Sequence, residues 1–554
     1  MGAQDTRVAL GVFLCALTGW TLVSMTHGGT DLGRLPVGPE ATALAWGAVG
    51  AALLAVVASW LSRGMSWGRT AMFGLGAFGG LVAWSAASMA WSAVPDLAWL
   101  TTNRLAFGLA ALTLGVGLSV GRHTAARDLA IGLAVATVPI LAWALGSRVL
   151  GEWLAPTVDP PRLVAPIGHA NTLALIAVFA VPGALCLAAD RRWRRHAAVI
   201  LMVALLVVAM TGSRSGLIAL VAGIGVAVWL QPNRPAMLAA LWAGLVGAIP
   251  AVVFALGTAE FTTEPFLSDP ADRRGAGLLL GALIVAGAAV SWALVDVARP
   301  GACRLARVLD RPKAGRIVAA AAAALVAAGI VLAVVLGREA NQTGGRQLSL
   351  DSNHRSAWWG EAWRGFVDAP LIGHGSGSFP LTHLAERNVG AETLQVRQPH
   401  QLGLELMTEL GVVGLVLGLL LVGVVVCAAR RVGRGAGPAL AIVIPFLIQA
   451  QLDTPWSSPA AYVPALAAGG VILGLVGGSA TARRGAARGL IVGVVALGVC
   501  ASALVVWSGE RRASPAPSGG DACAAASSLK ACVQTPRMFE WRNDHAVQAN
   551  RHLR

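Results

Sequence analysis

Long apolar runs recur along nearly the whole chain, and they limit its possible folds more than any other feature. The runs are roughly 18 to 22 residues long, the length that an α-helix needs to cross a hydrocarbon core of about 30 Å. The strands of a membrane β-barrel would instead alternate in polarity over about ten residues. Only 12% of the residues are charged, whereas about a quarter are charged in a soluble protein. The sequence therefore predicts an all-α, polytopic integral membrane protein.

Charged connectors between the apolar runs indicate how the chain crosses the membrane. If the N-terminus lies in the cytoplasm, the arginine-dense connectors also lie there, as the positive-inside rule requires. The same alternation places the loop 337–405 and the tail 508–554 outside the cytoplasm. About fifteen membrane helices are predicted, at residues 7–25, 41–61, 70–91, 103–120, 129–150, 171–189, 197–211, 215–230, 237–256, 276–295, 317–336, 406–429, 438–452, 461–478 and 489–507.

These helices divide the chain into four regions. The regions are an N-terminal transmembrane bundle at 1–336, a large extracytoplasmic loop at 337–405, C-terminal transmembrane helices at 406–507 and an extracytoplasmic tail at 508–554. In the tail, Cys523 and Cys532 could form a disulfide if the exterior is oxidising.

The formal net charge of +15 raises the question of a nucleic-acid partner. The arginines, however, cluster in short connectors such as 191–195, 430–431 and 483–484. Such clusters are typical of residues that fix membrane topology. We therefore expect no nucleic-acid partner, and we expect membrane lipid around the helices.

The loop 337–405 is the longest polar interval in the chain, so chemistry is most expected there. Within it, Arg355, Trp358, Trp359 and Trp363 recur at helical spacing, which predicts an amphipathic helix along the membrane surface. Tryptophan is common at membrane interfaces, so we interpret the aromatic residues mainly as anchors. Spacing alone leaves the role of Arg355 open.

Arg214 lies in the sequence ThrGlySerArgSerGly at 211–216, which interrupts an apolar stretch too long for one helix. This interruption predicts a helical hairpin with Arg214 at its external tip. One interpretation is an arginine that extends from the hydrocarbon core to the membrane surface. The other is an anion site, because a guanidinium group can bind two phosphate oxygens at once.

The glycine-rich sequence GlyHisGlySerGlySerPhe at 373–379 resembles a phosphate-binding loop only weakly. No strand precedes it and no Lys-Ser/Thr pair follows it, so a nucleotide P-loop is not expected. A tight turn that requires glycine is the preferred interpretation.

His400 follows Pro399 at the start of the next predicted helix. A single histidine at such a position is usually structural. Here the same external surface also carries arginines, and histidine can accept a proton near neutral pH. His400 is therefore a candidate general base, whereas His383 is expected to be a bystander. No histidines or acids occur at the spacing of a metal site, so neither a metal nor a cofactor is predicted.

Together these motifs resemble the O-antigen ligase and polysaccharide polymerase superfamily of bacterial envelope glycosyltransferases. The early motifs are TrpSerAlaValPro at 91–95 and GlyHisAlaAsnThrLeuAla at 168–174, followed by the hairpin at 211–216. The most specific match runs from Arg355 to HisGlnLeuGlyLeuGluLeuMetThrGluLeuGly at 400–411. In the family an asparagine usually follows the histidine, and this chain has Gln401 instead.

The resemblance implies a GT-C-like transmembrane bundle of about 12 to 15 helices with a large extracytoplasmic loop. Family members typically have about twelve helices, so 276–336 would be an inserted hairpin and 489–554 an extra helix with an external tail. The implied location is the bacterial inner membrane, with a multi-pass topology and an active site that faces the periplasm.

The implied reaction is metal-independent transfer of a glycan from an undecaprenyl (polyprenyl) diphosphate carrier. The acceptor would be a hydroxyl group of a lipid or a saccharide. Arg214 and Arg355 would hold the diphosphate, and His400 would act as the general base on the acceptor. This reaction belongs to O-antigen ligation within envelope or exopolysaccharide biosynthesis.

Four other functions are alternatives from the sequence. Polysaccharide polymerases and protein O-oligosaccharyltransferases belong to the same superfamily, and the motifs do not separate them from ligases. A transporter or flippase would show internal repeats and functional charges near the middle of the membrane, and the sequence shows neither. A purely structural membrane scaffold would leave the external arginines and histidines unexplained.

Overall fold

The computed structural model describes residues 67–151, 162–231, 233–258, 270–298, 355–387 and 396–476, together with residues 261, 301, 303, 304 and 307. Within these residues the regular secondary structure is helical and contains no strand. This finding confirms the predicted all-α class.

Thirteen α-helices account for most of the described chain, and three short 3-10 turns accompany them, at Ser88–Ala90, Gly433–Ala436 and Pro455–Ser457. The α-helices are α1 (Arg69–Ala87), α2 (Pro95–Ser119), α3 (Ala125–Val149), α4 (Ala170–Ala188), α5 (Arg194–Met210), α6 (Arg214–Leu230), α7 (Arg234–Gly257), α8 (Pro270–Val297), α9 (Arg355–Asp368), α10 (Phe379–Glu386), α11 (Leu402–Val432), α12 (Gly437–Gln449) and α13 (Pro459–Leu475).

Eleven of the predicted membrane helices coincide with helices α1 to α8 and α11 to α13, with ends that differ by up to eight residues. The other four, at 7–25, 41–61, 317–336 and 489–507, lie outside the described residues, as do the tail 508–554 and its two cysteines. Six described stretches are long and apolar enough to cross a membrane, which agrees with a polytopic membrane protein. They are Arg69–Ala90, Ala125–Val149, Ala170–Ala188, Arg234–Gly257, Ala271–Val297 and Leu402–Gln449.

Small residues let the membrane helices pack closely. Helix α4 is the central helix, because nearly all of its residues are buried inside the protein. Helices α2 and α13 approach so closely that a Cβ atom at Gly115 would collide with the Ala467 carbonyl oxygen, and one at Gly470 with that of Leu112. Backbone contact through glycine is the usual way to associate helices in lipid, where apolar side chains gain little by leaving the solvent.

The helices alternate in direction, so their connections gather at two ends of the bundle. One end, called the loop end here, holds the 88–95, 162–170, 211–214, 355–387, 396–402 and 450–459 segments. Hydrogen bonds join these segments, for example Leu163 N to Met210 O (3.1 Å) and Leu402 N to Ala450 O (2.9 Å). The arginine-rich end holds the basic connectors, where Arg195 binds Asp296 at 2.9 Å. The site residues predicted from sequence lie at the loop end.

Candidate functional site

A kink in helix α11 attaches the polar loop to the bundle. At Gly411 the backbone has φ 65° and ψ −163°, which interrupts the helix. A Cβ atom at this position would collide with the Leu371 carbonyl oxygen, so the close approach requires glycine. Near the kink, the Leu410 carbonyl accepts a hydrogen bond from Trp84 Nε1 (3.0 Å), which satisfies one of the backbone groups.

The glycine-rich segment at 373–379 docks on this kink through its backbone. The segment is therefore a packed turn, as predicted, and its glycines serve backbone contact rather than phosphate binding. Two hydrogen bonds hold it, from His374 N to Thr408 O (3.0 Å) and from Gly375 N to Glu409 O (2.8 Å). A third, from Val412 N to Pro370 O (2.8 Å), holds the residues just before the segment.

Glu409 fixes the loop further through its side chain. Its carboxylate accepts hydrogen bonds from Gly377 N (2.6 Å) and Phe379 N (3.2 Å), at the start of helix α10. A negative charge at a helix N-terminus satisfies exposed N–H groups and interacts favourably with the helix dipole. Helix α11 therefore holds the loop through Glu409, and His400 lies just before the first turn of the same helix.

His383 is not a bystander, contrary to the expectation from sequence. Its Nδ1 lies 2.7 Å from Glu361 Oε2, and both side chains are almost completely buried. This pair joins helix α10 to helix α9, so His383 supports the loop that carries Arg355. A substitution at His383 would disturb the fold of the loop, and it is therefore unsuitable as a neutral control.

His400 is held by contacts on two sides of its ring. Its Nδ1 lies 3.0 Å from Asp453 Oδ1, and its ring stacks on Trp358 with centroids 5.1 Å apart. Trp358 is only 7% exposed, so it positions the histidine rather than anchoring the protein in lipid. Among the described residues, His400 is the one non-glycine residue with positive φ (58°). Backbone strain of this kind is often found at functional sites.

Gln401 explains how the chain tolerates the departure from the family pattern. Its side-chain Oε1 accepts a hydrogen bond from Leu404 N and so caps helix α11. Its Nε2 donates to Gln451 Oε1 at 3.0 Å, which ties the cap to the turn that carries Asp453. Glutamine therefore does here the capping that asparagine commonly does at a helix start.

Asp453 is the buried centre of the site. It lies in the turn between α12 and α13, is 1% exposed, and accepts from Thr454 N (2.9 Å). Burial by itself raises its pKa, but the hydrogen bond with His400 and the nearby charges of His169, Arg355 and His400 outweigh burial and hold the pKa well below its ordinary value. The ionised carboxylate can only accept hydrogen bonds, so His400 Nδ1 is the donor and Nε2 is the basic nitrogen.

Arg355 and Arg162 bring two more segments to this acid. Arg355, the first residue of α9, has its Nη2 4.0 Å from Asp453 Oδ2. Arg162 donates from Nε to the Thr211 carbonyl (2.7 Å) and from Nη2 to Asn171 Oδ1 (2.6 Å). Arg162 therefore connects the start of α4 to the hairpin that precedes Arg214.

Electrostatic interactions also connect the hairpin with these residues. Desolvation lowers the pKa of Arg162, Asp453 opposes this shift, and the positive charges of Arg355 and Arg214 add to it. His169 lies in the same environment: although it keeps accessible surface, desolvation by the surrounding protein lowers its pKa and Asp453 acts in the opposite direction. Arg162 thus lies within electrostatic range of both predicted arginines and of the acid.

These residues form a group that we call the cationic cluster: Arg162, His169, Arg214, Arg355, His400 and Asp453. The structure brings the three residues predicted from sequence, Arg214, Arg355 and His400, into one neighbourhood, and it adds three that sequence reasoning missed. Of these, Asp453 had one usable signal, since it is an isolated acid at the end of an apolar helix. The segment 168–174 matches a family motif, but the sequence gives His169 no role.

The donor set of the cluster fits an anion. In the described part of the chain, no group of three or more histidine, cysteine, aspartate or glutamate residues is arranged to hold a metal ion. The guanidinium groups of Arg162, Arg214 and Arg355 outnumber the carboxylate of Asp453, so the cluster carries an excess of positive charge. Guanidinium groups bind phosphate oxygens well because their donors form a rigid fork.

Comparison with known proteins agrees with the motifs. Residues 275–419 match the O-antigen ligase family. This match supports the O-antigen ligase-like superfamily that the motifs resemble, and with it a ligase- or polymerase-type glycosyltransferase function in polysaccharide biosynthesis. The matched range contains Arg355 and His400, whereas Arg214 and Asp453 lie outside it. A search of curated proteins finds no match for the chain.

Proposed function

We propose that this protein transfers a glycan from a polyprenyl diphosphate carrier to a hydroxyl group of a lipid or saccharide acceptor. The observation that supports this most directly is the hydrogen bond between His400 and the buried, ionised Asp453, with arginines beside the acid. A base oriented by an acid and surrounded by guanidinium groups suits a reaction in which a hydroxyl loses a proton and a diphosphate leaves.

The arginines would act on the donor. Arg214 and Arg355, with Arg162 beside them, would bind the diphosphate and stabilise the negative charge that increases as the bond to the sugar breaks. Preorganised charges of this kind are commonly the largest contribution to catalysis, because they need no reorganisation during the reaction. Asp453 would keep Arg355 and His400 in position without neutralising the whole cluster.

His400 would act on the acceptor. Its Nε2 would take the proton of the acceptor hydroxyl while that oxygen bonds to the anomeric carbon of the donor sugar. The bond from that carbon to the diphosphate oxygen breaks in the same step, and the diphosphate leaves with the bonding electron pair. The Asp453 carboxylate would stabilise the imidazolium that forms, as acids paired with a catalytic histidine do.

The connectors support a location for the reaction. The basic connectors gather at one end of the bundle and the cationic cluster lies at the other. With the positive-inside rule, this arrangement supports a site on the extracytoplasmic face of a bacterial inner membrane. Lipid-linked glycans are presented at that face after they cross the membrane.

The test is a transfer assay with purified protein, an undecaprenyl diphosphate-linked glycan and an acceptor, in the presence of EDTA. We expect transfer to continue in EDTA, because guanidinium groups would supply the positive charge. Complete dependence on an added divalent metal would contradict the proposal. Lipid, glycan and protein acceptors are tested in parallel, and the preferred acceptor separates ligase, polymerase and protein glycosylation.

A further inference from the structure

A second polar cluster lies at the loop end, beside the cationic cluster. Arg104 of helix α2 lies within electrostatic range of Tyr462, Glu405, Arg397 and Glu409. Glu405 also binds the side chain of Trp456, whose Nε1 donates to Glu405 Oε1 at 2.9 Å. We call the group of Arg104, Arg397, Glu405, Glu409, Tyr462 and Trp456 the balanced cluster.

The balanced cluster is connected to His400 along two short segments. Glu405 lies one turn into helix α11, and its N–H donates to Gln401 O (3.0 Å), the residue after His400. Trp456 lies three residues after Asp453, in the 3-10 turn Pro455–Ser457. The two clusters therefore share the segments that position the proposed base and its acid.

Polar atoms in the balanced cluster lack partners. Glu405 is 8% exposed and Tyr462 is 5% exposed, yet Glu405 Oε2 and the Tyr462 hydroxyl have no hydrogen-bond partner. Arg104 Nε is also buried without a partner, and no ion pair joins Arg104 to a carboxylate in the described chain. Buried polar groups in native proteins are nearly always paired, so these three atoms are available to form hydrogen bonds with a polar ligand.

The charges of the balanced cluster indicate what kind of ligand it is. The balanced cluster contains two arginines and two glutamates, so the formal charges of these four side chains cancel. The carboxylate of Glu409 is already used by Gly377 and Phe379. Arg104 Nε can donate a hydrogen bond and Glu405 Oε2 can accept one, so a group that both accepts from a guanidinium and donates to a carboxylate would satisfy both atoms. A hydroxyl group does both, and a neutral saccharide carries several hydroxyls at short spacing.

We propose that Arg104, Glu405 and Tyr462 form a subsite for a neutral saccharide of the acceptor. The saccharide would bind beside His400 and present one hydroxyl to it, while the diphosphate occupies the cationic cluster. The assignment of this sugar to the acceptor rests on the proposed function. Binding of a neutral saccharide at this place does not depend on it.

The chain offers a direct reporter, because Tyr462 is its single tyrosine. Full-length protein labelled with 3-fluorotyrosine and reconstituted in lipid nanodiscs would give one ¹⁹F resonance, located in the proposed subsite. The probes are neutral methyl glycosides of glucose, galactose, mannose and rhamnose, with methyl glucuronide and inorganic pyrophosphate as anionic comparisons. We expect at least one neutral glycoside to shift the resonance saturably at millimolar concentrations.

Two variants test whether the shift comes from the proposed residues. Glu405→Gln keeps the size of the side chain and an oxygen for Trp456 but removes the carboxylate, and Arg104→Met removes the guanidinium while keeping much of the aliphatic chain. Each should weaken glycoside binding by tenfold or more. Pyrophosphate binding, followed by ³¹P NMR, should be unchanged in both variants and shows that they are folded.

Three results would overturn the inference. The first is the absence of any shift with neutral glycosides, which would leave only ordered water as the partner of these atoms. The second is a stronger response to the anionic probes than to the neutral ones. The third is an undiminished shift in both folded variants. Failure of the transfer assay with a normal glycoside shift would instead contradict the proposed function and leave the saccharide subsite standing. Normal transfer without a glycoside shift would contradict the saccharide subsite and leave the proposed function standing.

Discussion

The cationic and balanced clusters lie at the same end of the bundle, but they differ in formal charge. In the cationic cluster a buried carboxylate is shared by His400 and Arg355, and positive charge is in excess. In the balanced cluster the charges cancel, and buried polar atoms of Glu405 and Tyr462 have no partner. This difference fits the two ligands of the proposed reaction, an anionic leaving group in the cationic cluster and a neutral acceptor group in the balanced cluster.

His400 lies where the two clusters meet, and its removal should have the largest effect. His400→Ala should lower the rate of transfer by about 10²- to 10⁴-fold, because proton transfer from the acceptor is lost. Binding of pyrophosphate and of the methyl glycosides should remain. The measurement is a single-turnover transfer assay with both binding assays in parallel.

The matched control for this variant is His123→Ala. His123 is exposed and lies in the connector at the arginine-rich end, so transfer should be unchanged. If His400→Ala retained near-normal transfer, the division of roles between the two clusters would be wrong. If the variant lost both kinds of binding, His400 would be a structural residue rather than a base.

Asp453→Asn should have the next largest effect, a fall in transfer of about 10²-fold, because the amide no longer fixes the tautomer of His400 or stabilises its cation. The pH dependence of stability gives a second readout. A carboxyl whose folded-state pKa is lowered stabilises the protein above the ordinary aspartate pKa of about 3.9. That contribution is lost as the pH falls below this value toward the folded-state pKa.

Thermal unfolding in detergent between pH 7 and 2 should show this loss in the wild type. The Asp453→Asn protein should be less stable at neutral pH and should show a smaller decrease on the acid side. Equal acid sensitivity in the two proteins would mean that Asp453 is not held ionised by its neighbours. The two clusters would then differ less in charge than their geometry suggests.

Arginine-to-lysine substitutions separate the two clusters with a smaller effect. Arg214→Lys and Arg355→Lys keep the charge but lose the fork that binds two oxygens. Each should weaken pyrophosphate binding by about tenfold, which corresponds to about 1.4 kcal/mol, and should leave glycoside binding unchanged. Arg431→Lys, at an exposed arginine that binds Thr70 at the opposite end, is the matched control. A parallel loss of glycoside binding would join the two clusters into one site.

The last expected effect is on stability and concerns the kink that attaches the loop. Gly411→Ala places a side chain at φ 65° against the Leu371 carbonyl, which should cost about 1–3 kcal/mol of stability. Because the kink positions both clusters, glycoside and pyrophosphate binding should weaken together. Gly423→Ala lies in the same helix with nothing within 4 Å of the new Cβ, and its unfolding midpoint should be unchanged or higher. Equal midpoints in the two variants would contradict the role of the kink.

Much of the fold could be predicted because each membrane helix carries its own signal in apolar length. The same locality explains why Arg214, Arg355 and His400 could be selected, since each lies in a recognisable local motif. Their partners could not be predicted, because the bond between His400 and Asp453 joins residues 53 positions apart. Nothing in either local sequence encodes that approach.

The two incorrect expectations have the same physical origin. From the sequence, Trp358 is expected to be a membrane anchor and His383 a bystander. In the structure, Trp358 packs on His400 and His383 pairs with Glu361. Both contacts arise only when helix α9 folds against α10 and the start of α11. Tertiary packing, rather than local composition, decided these roles.

The position of Asp453 outside the range that matches the family has a consequence for exchanging parts between relatives. Residues 275–419 contain the proposed base, His400, and one arginine, Arg355. Asp453, which orients the base, and Arg214 of the hairpin come from other segments. A chimera that receives this range alone would combine a histidine from one parent with an aspartate from the other. Such a chimera would be active only if the recipient's 450–456 turn places its acid within hydrogen-bonding distance of the histidine. The smallest unit to exchange is therefore these separate segments together rather than one domain.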